Sequence, residues 1–446
     1  VSLVFSILAT VAVCAPVWPG QMSYDGLYAY ASSIHGIESM VWPPMHAYLF
    51  WLSRNAGAGV GGLFLVQTWL IFLGAALSAG LLIRSRRLHL AALAGFALLV
   101  VVVAPMLGVM LVHWRDVLTG SFAMASLACW LLAARYRAPA LLVAAALALG
   151  LGVALRYNAF ALFVLSAPLM VWRPYLGRPA GMRARATAVL ALAAAVALAW
   201  GSIHWRLPDF KRLPAAGTLT NIQVFDLLGV SSCEEANYLP LSVTRGQPLT
   251  PAQVRQLYDP RHVQLSFRPH PGIPQLYVTH RWQTPALAAD VARAWRAAVA
   301  AHPGCYLKHR AAVFVEQMGL ARGPVFYPTH GVIDPNPYGL ALAHPAASQA
   351  LTAYILRASA GWLARPVWLY LAAAAVALAL LVRRDPRSLL ALALLGGAVA
   401  NEALLFIVAP EADARYIFPG NLLCALLVAA GLAMLTEGRD GDCPAG

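Results

Sequence analysis

"SYDGLYAYASSIHGIESMVWPPMHAYLFW", residues 23–51, lies between an apolar opening segment and a long series of further apolar segments. It carries Asp25, Glu38, His35, His46, a Pro43-Pro44 step and the aromatics Tyr24, Tyr28, Tyr30, Trp42, Tyr48 and Trp51. A chain that elsewhere avoids charge has gathered charges and rings in one place. Tyr and Trp favour the lipid headgroup level, where one end of the ring is apolar and the other wet. The stretch reads as one or two short helices in that layer, broken at Pro43-Pro44 because proline removes a backbone donor.

The surrounding chain sets the context. Of 446 residues, 60% are hydrophobic and 11% charged, whereas a soluble domain carries roughly 25% charged residues. The expected class is an all-α polytopic membrane protein. Runs of about 20 apolar residues mark membrane-crossing helices, and about ten are expected, at 1–17, 61–83, 89–111, 117–134, 138–155, 159–172, 184–203, 361–382, 388–409 and 417–436. The basic linkers "RSRRLH" (84–89), "ARYRAP" (134–139), "RPYLGRPAGMRAR" (173–185) and "RRDPR" (383–387) fall at alternate junctions. Lys and Arg accumulate on cytoplasmic loops, so these are placed inside. The opening stretch, "VHWRDV" (112–117), "RYNAF" (156–160), 204–360 and "PEADARY" (410–416) then face outward.

The organisation this predicts is an N-terminal membrane module, 1–203, with an amphipathic first outer loop at 18–60. An extracytoplasmic domain, 204–360, is followed by C-terminal membrane helices, 361–436, and a cytoplasmic tail, 437–446. The opening segment is read as a span, not a secretory leader, because it lacks a basic n-region and an A-x-A site and the charge alternation requires it. The net charge of +14, from 32 Lys+Arg against 18 Asp+Glu, thus reports topology, with no nucleic acid as partner. The Ala/Leu-rich, Arg-dominated composition points to a bacterial chain, hence to the inner (cytoplasmic) membrane.

In the outer domain, "TPAQVRQLYD" and "TPALAADVARAWRAAVAAH" each open on Thr-Pro, a helix N-cap followed by proline in the first turn, so a small, mostly α domain is expected. Cys233 and Cys305 are its two cysteines. An oxidising compartment permits a disulfide between them, and two small buried residues are the alternative. Zinc-type Cys and His spacings and Gly-rich phosphate loops are missing from the sequence, which disfavours a dedicated zinc site and a nucleotide-driven pump.

Charges stranded at the outer face are the candidates for chemistry: Asp25, Glu38, Arg115, Asp116, Arg156, Glu411, Asp413 and Arg415. An ionisable group at bilayer depth costs roughly 2.5 to 3.5 kcal/mol, so such groups are paired or functional. Each has a bland rival. Asp25 and Ser23 could cap a helix, Asp116 could pair with Arg115, Arg156 could snorkel, and Arg415 could be neutralised by Glu411 and Asp413. Glu402, beside Asn401 deep in a span, is expected either to pair with another span or to hold a proton. Asp226, in "NIQVFDLLGVSSCEE" (221–235), belongs either to a lid or acceptor platform or to a helix packed on the membrane face.

An Asp in an amphipathic first loop, "WPPMHAYLFW", "HWRDVLTG", "LRYNAF" and a late "ARYIFPGN", in that order, resemble the GT-C superfamily of glycosyltransferases that use polyprenyl-phosphate sugars. Protein O-mannosyltransferases and lipid A aminoarabinose transferases are members. The resemblance covers the order of elements in the membrane part; the outer domain matches nothing in it. It implies inverting transfer of a sugar from a polyprenyl-phosphate sugar donor to a glycan, lipid or protein acceptor on the extracytoplasmic side. Asp25 is then the general base, and Asp116 a second acidic site residue or metal ligand. Arg415, Arg156, Arg115 and Tyr416 are candidates for the donor phosphate, and Glu38, His46 and Tyr24 for substrate contact. A divalent cation is a candidate cofactor, although the first loop offers one Asp where a close acidic pair would hold a metal. A transporter and an envelope assembly subunit are the non-enzyme alternatives.

Overall fold

In the computed structural model, the described residues are 1–38, 43–159, 219–278 and 284–437, with isolated positions between 161 and 212. The helices before residue 160 are α1 (Ser2–Cys14), α2 (Tyr24–His35), α3 (Met45–Asn55), α4 (Gly59–Leu82), α5 (Arg86–Val102), α6 (Ala104–Met110), α7 (Arg115–Tyr136) and α8 (Pro139–Leu155). After residue 218 come α9 (Thr220–Glu234), α10 (Pro251–Leu257), α11 (Pro285–Ala301), α12 (Pro303–Gln317), α13 (Pro345–Ala358), α14 (Pro366–Val382), α15 (Ser388–Val408) and α16 (Phe418–Thr436). The one strand pairing among the described residues is short and parallel, Ile37–Glu38 with Lys211–Arg212.

Among the described residues four helices, α4, α7, α15 and α16, are long and apolar enough to cross a membrane, and α5 with α6 makes a fifth if that bent pair is one span. This is fewer than the ten expected. The apolar segments Ser2–Val17, Pro139–Leu155 and Pro366–Val382 are helical but shorter, and the greater part of the spans expected at 159–172 and 184–203 lies outside the described residues.

The span expected at 89–111 is broken: α5 and α6 meet at 88°. Pro105 has no N–H to return to the carbonyl of Val101, so the helical ladder loses a rung there. The Tyr354 hydroxyl of α13 donates to that carbonyl at 3.0 Å. After α6 the chain passes through His113 and Trp114 into Arg115 at the start of α7, with the His113 amide donating to the Gln21 carbonyl at 2.9 Å.

Helix α16 is the axis of the bundle. Its sequence is apolar on every side and it is buried on nearly every side, as such a helix must be. Gly420 and Gly431 allow α14 to approach it: a Cβ at these positions would lie 2.3 Å from the Tyr370 hydroxyl and 2.2 Å from Val376. Glu402 Oε1 accepts here from the Tyr370 hydroxyl of α14 at 2.8 Å and from its neighbour Asn401 at 3.1 Å, while Oε2 is buried without a partner among the described residues.

Polar groups sort to the two ends of the bundle. At one end Glu437 accepts from the Arg84 and Ser85 amides and pairs with Arg387. The α2–α3 segment, the start of α7, the end of α8 and the 409–416 connection meet at the other.

Between α9 and α13, Thr250 and Gln253 form a reciprocal capping box on α10, and Thr284 accepts from the Leu287 amide at the start of α11. Cys233 and Cys305 are joined by a disulfide. Asp226 is buried on α9, where it accepts from Trp295 at 2.7 Å and pairs with Arg310 at 2.6 Å and His309 at 3.1 Å. Arg310 also donates to the Ala409 carbonyl at 2.7 Å. Asp226 is thus linked through Arg310 to the C-terminal end of α15.

Candidate functional site

Asp25 lies in the first turn of α2, whose N-cap is Ser23. The Ser23 hydroxyl does not cap; it accepts the indole N–H of Trp114 at 2.8 Å. Asp25 turns to Arg415, with Nη1 2.7 Å from Oδ2. Arg415 is also held by Asp413 at 2.8 Å, lies 3.8 Å from Glu411, and stands over the rings of Trp114 and Tyr416 at 5.1 and 5.2 Å. The 409–416 connection is held from outside by the domain. The Ala412 amide donates to the Arg261 carbonyl and the Ala414 amide to that of Phe326, both at 3.3 Å.

A narrow cleft opens at this ion pair, walled by Asp25, Tyr28, Pro43, Pro44, His46, Trp114, Arg115 and Arg415 among others. Two of its walls are cationic and one is a carboxylate. Burial works to raise the Asp25 pKa, but Arg415, then Arg115 and Arg156, hold it below the usual carboxylate range. Burial, with His113 and Arg115 nearby, drives His46 down to about 3. His46 is therefore neutral, stacked on Phe50 with ring centroids 4.9 Å apart. Burial and the adjacent Asp413 push Glu411 up to about 8. Arg415 stays charged against its own burial because Asp413, Tyr416, Asp25 and Glu411 surround it.

Asp116 is fully buried and ion-paired with Arg156, not with Arg115. Arg156 donates to Asn158 at 2.8 Å and lies 4.4 Å from the Tyr416 ring centroid. It turns inward and does not snorkel. Neither residue is among those that wall the cleft. Tyr24 is 49% exposed on the outer side of α2; Tyr28, one helical turn beyond Asp25, takes the inner position. The side chain of Glu38 lies outside the described residues.

No protein-family profile and no curated protein matches the chain. Two solved structures resemble it, both of ArnT from Cupriavidus metallidurans. The structure bound to undecaprenyl phosphate has 14% identity, covers 97% of this chain and 77% of that chain, and has a TM-score of 0.32. The apo structure has 16% identity, covers 97% and 76%, and has a TM-score of 0.33. Likeness at that level carries no chemistry across, so the site is read from its own residues.

A divalent cation needs several oxygen ligands turned to one point. Asp25, Asp116 and Asp413 each face a guanidinium instead. The one group of three candidate ligands within reach of each other among the described residues, Cys233, Glu234 and Cys305, contains the disulfide. The described residues do not form a cation cage at the cleft.

The site residues that helix periodicity could have found are Tyr28, at i+3 from Asp25, and Trp114, beside Arg115. Tyr327, whose ring packs on Trp114 with centroids 5.7 Å apart, comes from the outer domain and carried no sequence signal.

Proposed function

We propose that the chain is a GT-C-type glycosyltransferase that moves a sugar from a polyprenyl-phosphate donor to a hydroxyl of a glycan, lipid or protein, with inversion, at the extracytoplasmic face of a bacterial inner membrane. The observation that carries this reading is the Asp25–Arg415 pair at the mouth of a cleft with a second guanidinium, Arg115, in its wall. A carboxylate within reach of an attacking hydroxyl can take its proton, and guanidinium groups in a water-poor site stabilise the phosphate that leaves. The acceptor oxygen forms its bond to the anomeric carbon as the bond from that carbon to the phosphate oxygen breaks. The proton goes to Asp25 and the electron pair to the phosphate.

The pairing adds a condition. Held by Arg415, Asp25 is a weak base. A donor phosphate competes with Asp25 for Arg415 and, by drawing that charge away, restores the carboxylate's basicity. Proton abstraction is then coupled to donor binding. Asp116 and Arg156 are assigned a supporting part, a buried pair that fixes the start of α7 beside Tyr416.

Asp25→Asn keeps the shape and removes the basicity, so it should lose transfer by about 100-fold or more. It should bind undecaprenyl phosphate at least as tightly as wild type, since Arg415 loses one competitor. Turnover of lipid-linked sugar by Asp25→Asn at the wild-type rate would sink the base assignment, and lack of binding by both folded proteins would sink the donor reading.

A further inference from the structure

The outer-domain segment "PVFYPTHGVIDPNPY" (324–338) has no part in the reading above, yet it is strapped to both elements of the ion pair. The Phe326 carbonyl accepts from the Ala414 amide, next to Arg415. Gln21 accepts from the Thr329 hydroxyl at 3.1 Å and the Gly331 amide at 2.9 Å. The Met22 amide donates to Val332 at 3.0 Å and the Asp334 amide to Met22 at 2.9 Å, just ahead of Asp25. Between these anchors Tyr327 has φ +48, a left-handed backbone that is uncommon for a bulky residue and that a surrounding structure must hold in place.

The Tyr327 hydroxyl is hydrogen-bonded to His330 Nδ1, and His330 Nε2 lies 2.9 Å from Asp334 Oδ1. Asp334 is 33% exposed and His330 12%, so the row runs inward from solvent. An ionised carboxylate only accepts, so Nε2 carries the hydrogen and Nδ1 of the neutral ring is bare. Tyr327 therefore donates its one hydrogen to Nδ1, and its oxygen offers only lone pairs to whatever else surrounds it. When His330 gains a proton from solvent, both ring nitrogens donate. Tyr327 then accepts from Nδ1 and its hydrogen is released.

The charged groups facing this row are Asp334 and Tyr327 on its own segment and, beyond Tyr327, Asp413 and Arg415 from the 409–416 connection and Asp25 from α2. Burial and Asp413 keep the Tyr327 phenol protonated. Its ring rests on Trp114, and Trp114 lies under the Arg415 guanidinium.

We propose that Tyr327, His330 and Asp334 are positioning residues for the donor phosphate: protonation of His330 turns Tyr327 from acceptor to donor beside the Asp25–Arg415 pair, and the site then holds an anionic phosphate more tightly. The inference rests on the donor reading given above. A released Tyr327 hydrogen is available to the carboxylates that now neutralise Arg415, Asp413 and Asp25, whose charges act on Tyr327; a weaker hold on Arg415 strengthens the anion site.

The test uses the full-length protein in detergent and undecaprenyl phosphate as the probe. Kd is measured for wild type, Tyr327→Phe and His330→Asn from about pH 5 to about pH 8, the range in which histidine acts as a switch. The ratio of variant to wild-type Kd cancels the probe's own titration. It should rise from about one at the alkaline end to about tenfold at the acid end, the worth of a hydrogen bond to a charged group. A ratio that is flat with pH in both folded variants overturns the row while leaving the donor reading intact. Failure of folded wild type to bind the probe at any pH overturns both. His330→Asn, which leaves the left-handed backbone at Tyr327 untouched, carries the test if Tyr327→Phe does not fold.

Discussion

Arg415 Nη1 and Asp25 Oδ2 are 2.7 Å apart although 390 residues separate them in sequence. This contact joins the first turn of α2 to the connection before α16. It makes the cleft nearly charge-balanced when empty, so a phosphate entering it must exchange partners with a carboxylate already in place.

That exchange has a pH signature. Arg415 lowers the Asp25 pKa, so Asp25 remains ionised until the pH falls below the usual carboxylate value of about 3.9. The acid limb of kcat/KM reports the free enzyme and that of kcat the donor complex. Once the phosphate has drawn Arg415 away, the kcat limb should lie at higher pH than the kcat/KM limb. Rate measurements between about pH 3 and 8 check this; coincident limbs would mean that Arg415 stays on Asp25.

Arg415→Ala removes the main counter-charge of Asp25 and one charge-assisted phosphate contact, each such bond being worth about 1.5 to 3 kcal/mol. Donor KM should rise by about 10-fold or more. The acid limb of kcat/KM should also move up. Arg415→Lys should recover part of the affinity, because it restores the charge without the two-pronged geometry.

Glu411 gives the opposite pH dependence in stability. Its folded pKa is raised to about 8, above the value of about 4.3 for an unfolded chain, so the folded state binds more protons in between. Its contribution is fully present below about pH 4 and is lost as pH rises through 8. Glu411→Gln, which cannot ionise, should lessen the fall in melting temperature between pH 6 and pH 9, measured in detergent. An unchanged slope would show that Glu411 is ionised throughout.

Asp116→Asn separates structure from catalysis. Removing one partner of a buried pair leaves Arg156 uncompensated, at a cost of about 3 to 5 kcal/mol. The expected result is a large drop in melting temperature. A variant as stable as wild type but inactive would instead return Asp116 to the acid role that the sequence resemblance implies.

Helix positions were largely legible because they depend on local pattern. The Thr250 and Thr284 caps lie where Thr-Pro placed them, α4, α7, α15 and α16 coincide with apolar runs, and the first loop holds two helices with the second starting after Pro43-Pro44. The break at Val103 was less so, since Pro105 announces a lost hydrogen bond but not the direction of the turn. Arg115, His46, Asp25 and Arg415, all named from sequence, meet in the cleft, whereas Tyr24 faces outward.

By itself the sequence determined a charge-poor helical chain whose polar groups collect at junctions, because the cost of burying charge in lipid acts on each segment independently. Which charges pair was decided only in three dimensions. Asp116 meets Arg156 and not its neighbour Arg115, and Asp25 meets Arg415, because packing of α2, α7, α8 and α16 rotates those side chains toward each other. A turn of about 100° per residue on a helix changes a carboxylate's partner, and only the tertiary contacts set that rotation.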